Sequence, residues 1–128
     1  MEGKSYDLEK RTLEFSRRIL VMVNALPKNS VNDILVSQCA RSGTSVGANY
    51  REANDSLGRK DFLFRLRIAR KEAKETIYWL ELIIENNPEF KNRINLLYQE
   101  NIEITKILST IIINTQMYIK KQEENEEK

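Results

Sequence analysis

Apolar residues recur at steps of three and four along four segments of this chain, and short polar breaks separate the segments. Such steps match the turn of an α-helix and place the apolar residues on one face. The breaks hold helix-stopping and turn-forming residues, namely Pro27, the stretch 54–58 and the stretch 86–88. Four helices of roughly 20 to 30 residues with short connections predict an all-α, antiparallel up-down-up-down four-helix bundle.

The apolar positions define the expected core face of each helix. The first helix runs over 5–26 with Ser5 as its N-cap, and its face is Leu8, Thr12, Phe15, Ile19, Met22 and Leu26. The second follows the N-cap candidate Ser30 and runs to about residue 53, with Leu35, Cys39, Val46 and Ala53 on its face. The third, over 59–86, has Phe62, Leu66, Ala69, Ala73, Ile77, Leu80 and Ile84.

The fourth helix is expected over about residues 89–120, with Ile94, Leu97, Ile104, Leu108, Ile111 and Tyr118 facing inward. The last eight residues, 121–128, comprise six charged side chains, one Gln and one Asn. Such a composition is typical of a frayed or disordered end. The sequence therefore predicts a bundle domain over 1–120 and a charged, disordered tail over 121–128.

Residue usage excludes most enzyme classes. The 128-residue chain contains no His and a single Cys, Cys39. Without His there is no imidazole base, and one Cys makes neither an intramolecular disulfide nor a thiolate zinc site. Cys39 falls on an apolar helix face and is interpreted as a small buried hydrophobe. We expect a non-enzymatic protein with no catalytic residues, no cofactor, no metal site and no small-molecule substrate.

Hydropathy gives the expected compartment. The N-terminus lacks the apolar stretch of a signal peptide, and no apolar run approaches the roughly 18 residues of a membrane span. The lone Cys39 suits a reducing environment. These features predict a cytoplasmic protein with no membrane partner.

Positive charge is concentrated in the middle of the chain. Residues 41–74 hold nine basic and four acidic side chains, whereas residues 75–128 hold six basic and ten acidic ones. On the third helix, opposite its core face, four cations form a basic stripe: Lys60, Arg67, Lys71 and Lys74. This basic stripe is a candidate nucleic-acid-binding track, because phosphate contacts need only positive charge at suitable spacing. The alternative interpretation is an ordinary solvated helix face.

A second apolar face on the third helix is a candidate oligomer interface. It consists of Phe64, Ile68, Trp79 and Leu82, which lie outside the main core seam. Exposed together, these side chains form an apolar patch of the kind that marks a protein contact. The alternative is an irregular bundle that covers them with loops or with the tail.

The second helix carries a polar strip beside its apolar face: Gln38, Arg41, Ser45, Asn49 and Glu52. Ser and Asn add little helix propensity, so we interpret the strip as a structural, buried hydrogen-bond network that fixes helix register. Partner or ligand binding by the strip stays open as a lesser alternative. Gly43 and Gly47 lie four residues apart and predict the close approach of another helix.

The same region carries a family signature. Residues 41–52 fit the pattern R-S-x-x-S-V-x-A-N-x-x-E, and residues 71–80 fit K-E-A-x-E-T-x-Y-W-L in the right order. Over about residues 37–84 the chain closely resembles the four helix bundle protein family, also called 23S rRNA intervening-sequence proteins. The resemblance implies a bacterial four-helix protomer that assembles as a ring, typically a homopentamer, and it carries over no catalytic residues.

Members of the family are encoded within inserts of bacterial large-subunit rRNA genes. A related, markedly basic branch accompanies diversity-generating retroelements and binds nucleic acid and a reverse transcriptase. Together with the basic stripe, the resemblance favours an oligomeric scaffold that binds RNA, DNA or a ribonucleoprotein. The alternative is a purely protein-binding or structural homo-oligomer with no nucleic-acid role.

Overall fold

The computed structural model describes residues 2–127, with side chains described from residue 8 onward. This range contains four α-helices: α1 (Glu2–Ala25), α2 (Ser30–Asn54), α3 (Arg59–Asn86) and α4 (Lys91–Glu126). A short 3-10 helix over Pro88–Phe90 precedes α4, and no strand occurs within 2–127. The all-α prediction with four helices is therefore confirmed.

Each helix packs against two others, so the four enclose one core. Helices α1 and α3 both contact α2 and α4, and the α1–α4 contact is the sparsest of the four. Within the described residues, neither the α1–α3 pair nor the α2–α4 pair is in contact. At the α1–α4 contact, Arg11 forms two hydrogen bonds to the Glu100 carboxylate, at 2.7 and 2.9 Å.

The helix ends differ in detail from the sequence prediction. Helix α1 begins ahead of Ser5, so the predicted cap lies inside the helix, and the Ser5 side chain falls outside those the structure describes. Asn29, not Ser30, caps α2, because its Oδ1 accepts the amide of Asn32 at 2.9 Å. Helix α4 continues to Glu126, whereas a disordered tail was expected from residue 121 onward.

The predicted faces of α1 and α2 form the core. All six predicted α1 positions are at most 4% exposed, and the four of α2 are at most 8% exposed. Helix α3 is turned slightly about its axis relative to the prediction. Its predicted seam keeps Leu66, Ala69, Ala73 and Leu80 buried, but Leu63, Thr76 and Ile83 are buried in place of Phe62, Ile77 and Ile84.

The rotation of α3 about its axis is explained by a pair of buried hydroxyl groups, those of Thr76 and Ser42. The Thr76 hydroxyl is hydrogen-bonded to Ser42 Oγ of α2 and to the Glu72 carbonyl oxygen, each at 2.8 Å. Thr76 and Ser42 are both 0% exposed. Because a buried polar group with satisfied hydrogen bonds avoids most of the desolvation cost, Thr76 takes a core position that an apolar pattern does not predict.

Two glycines let α1 approach α2 closely, as predicted. A Cβ added to Gly43 would lie 3.2 Å from two carbons of Ile19. A Cβ added to Gly47 would lie 3.0 Å from Thr12 Oγ1 and 3.1 Å from Thr12 Cβ. The absence of side chains at these two positions is therefore what permits the observed α1–α2 distance.

Candidate interaction surface

The outer surface shared by α2 and α3 is centred on Arg41. The Arg41 guanidinium bonds to the carboxylates of Glu72 and Glu75, one turn apart on α3. It also donates to Gln38 Oε1 at 3.2 Å. Glu75 in turn accepts a hydrogen bond from Trp79 Nε1 at 3.0 Å. The group forms a continuous polar chain from α2 to the tryptophan of α3.

The polar strip of α2 lies at this surface and is not buried. Arg41 and Glu52 are exposed, and the other three residues are partly buried. Ser45 and Asn49 bond to carbonyl oxygens of their own helix, those of Arg41 and Ser45, at 2.7 and 2.9 Å. The prediction of a buried network at the strip was wrong, because Arg41 and Glu52 are exposed and Ser45 and Asn49 bond within their own helix.

The buried polar groups that do connect helices are elsewhere in the bundle. They comprise the Ser42–Thr76 pair, the Asn32–Asn87 pair at one end, which the exposed Asn86 joins through Asn32, and Asn101 of α4. Asn101 Nδ2 donates to the Ala73 carbonyl oxygen at 2.8 Å, and its Oδ1 is buried without a partner among the described residues.

The second apolar face divides into two environments. Phe64 is 57% exposed, whereas Trp79 and Leu82 are partly buried and pack against the core. Ile68 is also partly buried. The alternative expectation, that loops or the tail cover all four residues, does not describe Phe64.

Two further exposed apolar residues, which the apolar pattern of the sequence does not assign to a surface, lie on α2. Val31 and Ile34 are 51% and 64% exposed. They lie at the end of α2 that meets the end of α3, because Asn32 bonds to both Asn86 and Asn87 there. The available sequence signal was a pair of apolar residues three positions apart, outside the core-facing positions of α2.

The basic stripe lies on the solvent side of α3, and all four cations are exposed. Lys60 forms an ion pair with Glu123 of α4 at 3.2 Å. Within the described residues, Arg67, Lys71 and Lys74 form no hydrogen bond or ion pair. Three cations on consecutive turns of one helix are therefore available to an external anion.

Two exposed aromatic side chains lie in line with these cations. Phe64 and Tyr78 are each 57% exposed. With the basic stripe they occupy positions separated by steps of four, three, four, three and four, forming an outer row: Lys60, Phe64, Arg67, Lys71, Lys74 and Tyr78. The sequence analysis assigned Phe64 to the apolar face alone, because exposure is not visible in an apolar pattern.

A cavity of about 640 Å³ opens where α1 and α4 meet the α2–α3 end of the bundle. Its lining is mainly apolar and includes Leu8, Tyr50, Phe62 and Ile111, together with two arginines. Arg11 is engaged by Glu100, whose hydrogen bonds raise the Arg11 pKa. Arg59 lies over the Tyr118 ring, 4.5 Å from its centroid. Both cations therefore already have partners within the fold.

Chemically reactive groups are scarce in the described part of the chain. Burial raises the pKa of the Cys39 thiol to about 12, which keeps it protonated and unreactive at neutral pH. Within residues 2–127, no group of three or more His, Cys, Asp or Glu side chains is arranged to hold a metal ion. None of the helices described is both long enough and apolar enough to cross a membrane.

Comparisons with known proteins found a family model and a solved structure to which this chain is similar. A family model described as 23S rRNA-intervening sequence protein matches residues 4–110. A crystal structure at 1.70 Å from Bacteroides thetaiotaomicron VPI-5482, described as a protein of unknown function from the S23 ribosomal protein family, is 38% identical. The match covers 82% of this chain and 97% of the chain in that crystal structure, with a TM-score of 0.73. No curated protein matches this chain.

Proposed function

The chain belongs to the 23S rRNA-intervening sequence protein family, and we propose that it is a non-enzymatic, self-assembling scaffold that binds RNA through the basic stripe of α3. The observation that carries this proposal is the set of three exposed cations, Arg67, Lys71 and Lys74, without an anionic partner in the described structure. The protein acts in the bacterial cytoplasm and needs no cofactor.

The helices follow an up-down-up-down order in this proposal. Support comes from pairs of contacts in which residue numbers rise on one helix and fall on its neighbour. Thr12 and Ile19 of α1 lie against Gly47 and Gly43 of α2, respectively. Asn32 of α2 bonds to Asn87, directly after α3, and Ser42 of α2 bonds to Thr76 of α3.

Phosphate neutralisation accounts for three cations of the basic stripe, Arg67, Lys71 and Lys74, that have no anionic partner among the described residues. An ion pair between exposed side chains adds little to the stability of a protein. A row of cations, in contrast, binds a polyanion favourably because counterions are released from the polyanion. The family is named for rRNA, which identifies RNA as the polyanion to test first. The acidic second half of the chain limits the affinity, because its carboxylates repel phosphate.

Self-assembly uses the apolar surface next to Arg41. Ile68, Trp79 and Leu82 of the second apolar face form the contact, and Val31 and Ile34 enlarge it, whereas Phe64, the most exposed member of that face, lies outside the contact. Exposed apolar residues grouped at one end of a helix pair favour burial against another copy. A closed ring, with five copies as the family resemblance implies, repeats the basic stripe in each subunit, so weak RNA contacts gain avidity.

The test compares two triple charge reversals. The first is Arg67→Glu, Lys71→Glu and Lys74→Glu on the basic stripe. The control is Lys28→Glu, Lys91→Glu and Lys106→Glu, which makes the same charge change at exposed positions away from it. Affinity for an rRNA fragment is measured by fluorescence anisotropy at two salt concentrations, and oligomeric state by light scattering.

We expect the stripe variant to bind more weakly than the control and to show a shallower dependence on salt. The slope of log affinity against log salt falls by about 0.7 to 0.9 for each lost phosphate contact. Equal affinities for both variants, or binding that ignores salt, would contradict RNA binding by the stripe. If the assembly then persists in both, a purely protein-binding or structural homo-oligomer is the better description, and the Val31–Ile34 surface is what favours it.

A further inference from the structure

The outer row of α3 alternates aromatic rings with cations in a way that the RNA-binding proposal does not require. Phosphate contacts alone need the four cations. Yet Phe64 lies between Lys60 and Arg67, and Tyr78 follows Lys74, with both rings more than half exposed. Exposure of two aromatic rings to water costs free energy, because burial of their apolar surface is favourable. Their position in this row therefore favours a partner that covers them.

The surroundings of Tyr78 hold its ring at the surface. The Tyr78 and Trp79 ring centroids are 5.1 Å apart, with an angle of 76° between the ring planes. Trp79 is fixed by its hydrogen bond to Glu75 and by packing against the core. In such a T-shaped contact Trp79 covers at most one face of the Tyr78 ring, so the opposite face is left for another flat group.

The surroundings of Phe64 are cationic. The guanidinium carbon of Arg65 is 5.9 Å from the Phe64 ring centroid, and Arg65 is itself paired with Asp61 at 3.8 Å. Lys60 and Arg67 are the neighbours of Phe64 in the outer row. A flat group that stacks on Phe64 is therefore placed beside Arg67, which is free to bind a phosphate, and beside Lys60, which is paired with Glu123 at 3.2 Å.

We infer that the outer row takes single-stranded RNA, with bases stacked on Phe64 and Tyr78 and phosphates neutralised by the cations between them; this inference rests on the proposed RNA-binding function. Stacking on a protein ring requires an unstacked base, which a single strand offers and a duplex does not. The two rings are 14 positions apart, which is about 21 Å along the helix axis. A short single strand spans that distance.

The row also has an end. The next two positions of the same face are Glu81 and Glu85, and both are exposed. Carboxylates at these positions repel phosphate, so the bound strand is confined to the segment from Lys60 to Tyr78. A second copy of this chain is a poorer occupant, since a protein surface here would have to supply several carboxylates and two aromatic partners at once.

The single tryptophan of the chain makes stacking directly visible. Trp79 touches Tyr78, so a base that stacks on Tyr78 changes the surroundings of the indole. We expect single-stranded RNA to alter Trp79 fluorescence and duplex RNA of the same sequence to leave it unchanged.

The binding test uses an unstructured single-stranded RNA of about 16 nucleotides and its duplex with the complementary strand. Four variants are compared with the wild type: Phe64→Ala, Tyr78→Ala, the ring-preserving Tyr78→Phe, and Leu96→Ala. Leu96 is a matched control, because it is 64% exposed and lies on α4, away from the outer row. Light scattering follows the oligomeric state of each variant.

We expect Phe64→Ala and Tyr78→Ala each to lower single-strand affinity at least about fivefold, the lower bound for loss of one stacked base. Duplex affinity should change little in either variant, and Tyr78→Phe and Leu96→Ala should bind both RNAs like the wild type.

Three results would overturn the inference. If single strand and duplex bind equally and only charge reversal weakens them, the RNA-binding proposal stands but base stacking does not. If neither RNA binds the wild type, the proposed function fails and the stacking inference fails with it. If Phe64→Ala or Tyr78→Ala dissociates the assembly, the rings belong to a contact between copies.

Discussion

Asn32 and Asn87, 55 positions apart in the sequence, exchange two side-chain hydrogen bonds of 2.9 Å across the end of the bundle. Each amide donates to the carbonyl oxygen of the other, and both residues are at most 2% exposed. Asn32 also donates to the Pro27 carbonyl oxygen, and Asn87 donates to that of Ile83. The pair therefore ties the α1–α2 connection to the end of α3.

Removal of one amide from this pair should destabilise the protein. Asn87→Ala leaves the buried Asn32 amide with fewer partners, which costs about 1–3 kcal/mol of unfolding free energy. Urea unfolding measures the loss, and Asn92→Ala at an exposed position serves as the control. In a double-mutant cycle, a coupling energy between Asn32→Ala and Asn87→Ala below about 0.5 kcal/mol would show that the two amides act independently.

Replacement of Gly47, which faces α1, by alanine should destabilise the protein although alanine has the higher helix propensity. Alanine favours an α-helix by about 1 kcal/mol over glycine, yet a Cβ at Gly47 would crowd Thr12 at 3.0 Å. Thr12 is itself 0% exposed and β-branched, so it has no room to move aside. We expect Gly47→Ala to lower the thermal midpoint, whereas Gly58→Ala, with nothing within 4 Å of the added carbon, should lower it less, through the weaker preference of alanine for the N-cap of α3. A higher midpoint for Gly47→Ala would mean that α1 shifts at little cost.

The buried thiol should make stability fall at alkaline pH. Burial raises the pKa of Cys39 from 9.0 to about 12, so above pH 9 the unfolded chain loses a proton that the folded chain keeps. Rising pH therefore favours unfolding by up to about 1.4 kcal/mol per pH unit between these two values. Below pH 9 this group contributes no slope.

The measurement is urea unfolding of the wild type and Cys39→Ala across that pH range. The variant should lack the Cys39 part of the alkaline slope, whatever its stability at neutral pH. Parallel slopes in the two proteins would contradict a buried, protonated thiol.

A charge on the α2 end of the apolar surface should disrupt assembly without unfolding the protomer. Ile34 is 64% exposed, so Ile34→Glu changes protomer stability by less than about 0.5 kcal/mol. Its carboxylate would have to be desolvated in the proposed contact between copies, which weakens association. Leu96→Glu is the matched control, since Leu96 has the same exposed fraction. Light scattering should show smaller particles for Ile34→Glu alone; equal sizes would place the contact elsewhere.

The periodicity of apolar residues predicted those features of the fold that depend on residues close together in the sequence. The α1 heptad from Leu8 to Leu26 is buried throughout, and the breaks at Pro27, Gly58 and Pro88 separate the observed helices. The glycine pair was predicted for the same reason, because only a missing side chain allows another backbone so close. These features follow from residue type and spacing alone.

Long-range polar contacts escaped prediction. Asn87 was taken as part of a turn, and its partner Asn32 lies in another helix, which no local pattern reveals. Thr76 holds a core position because Ser42 of α2 satisfies its hydroxyl, and Asn101 Nδ2 finds its acceptor, the Ala73 carbonyl oxygen, on another helix. Conversely, Ser45 and Asn49 resembled a buried network, but each bonds to its own helix. Where a polar side chain finds its partner is decided by tertiary packing.

Helix α4 continues for about three turns past its last buried side chain. It has 36 residues and α3 has 28, a difference of about 12 Å at the rise of an α-helix. Thr115 is its last buried residue in the described chain. The final turns therefore rest on their own backbone hydrogen bonds and on ion pairs such as Lys60–Glu123.

The two parts of α4 consequently have different thermodynamics. Backbone amides beyond residue 119 should exchange with solvent through local opening, whereas those near Ile104 and Leu108 exchange only through global unfolding. Circular dichroism should then lose a little helical signal before the cooperative transition begins. One continuous helix in the structure thus behaves in solution as a cooperative stem with a tip that melts on its own.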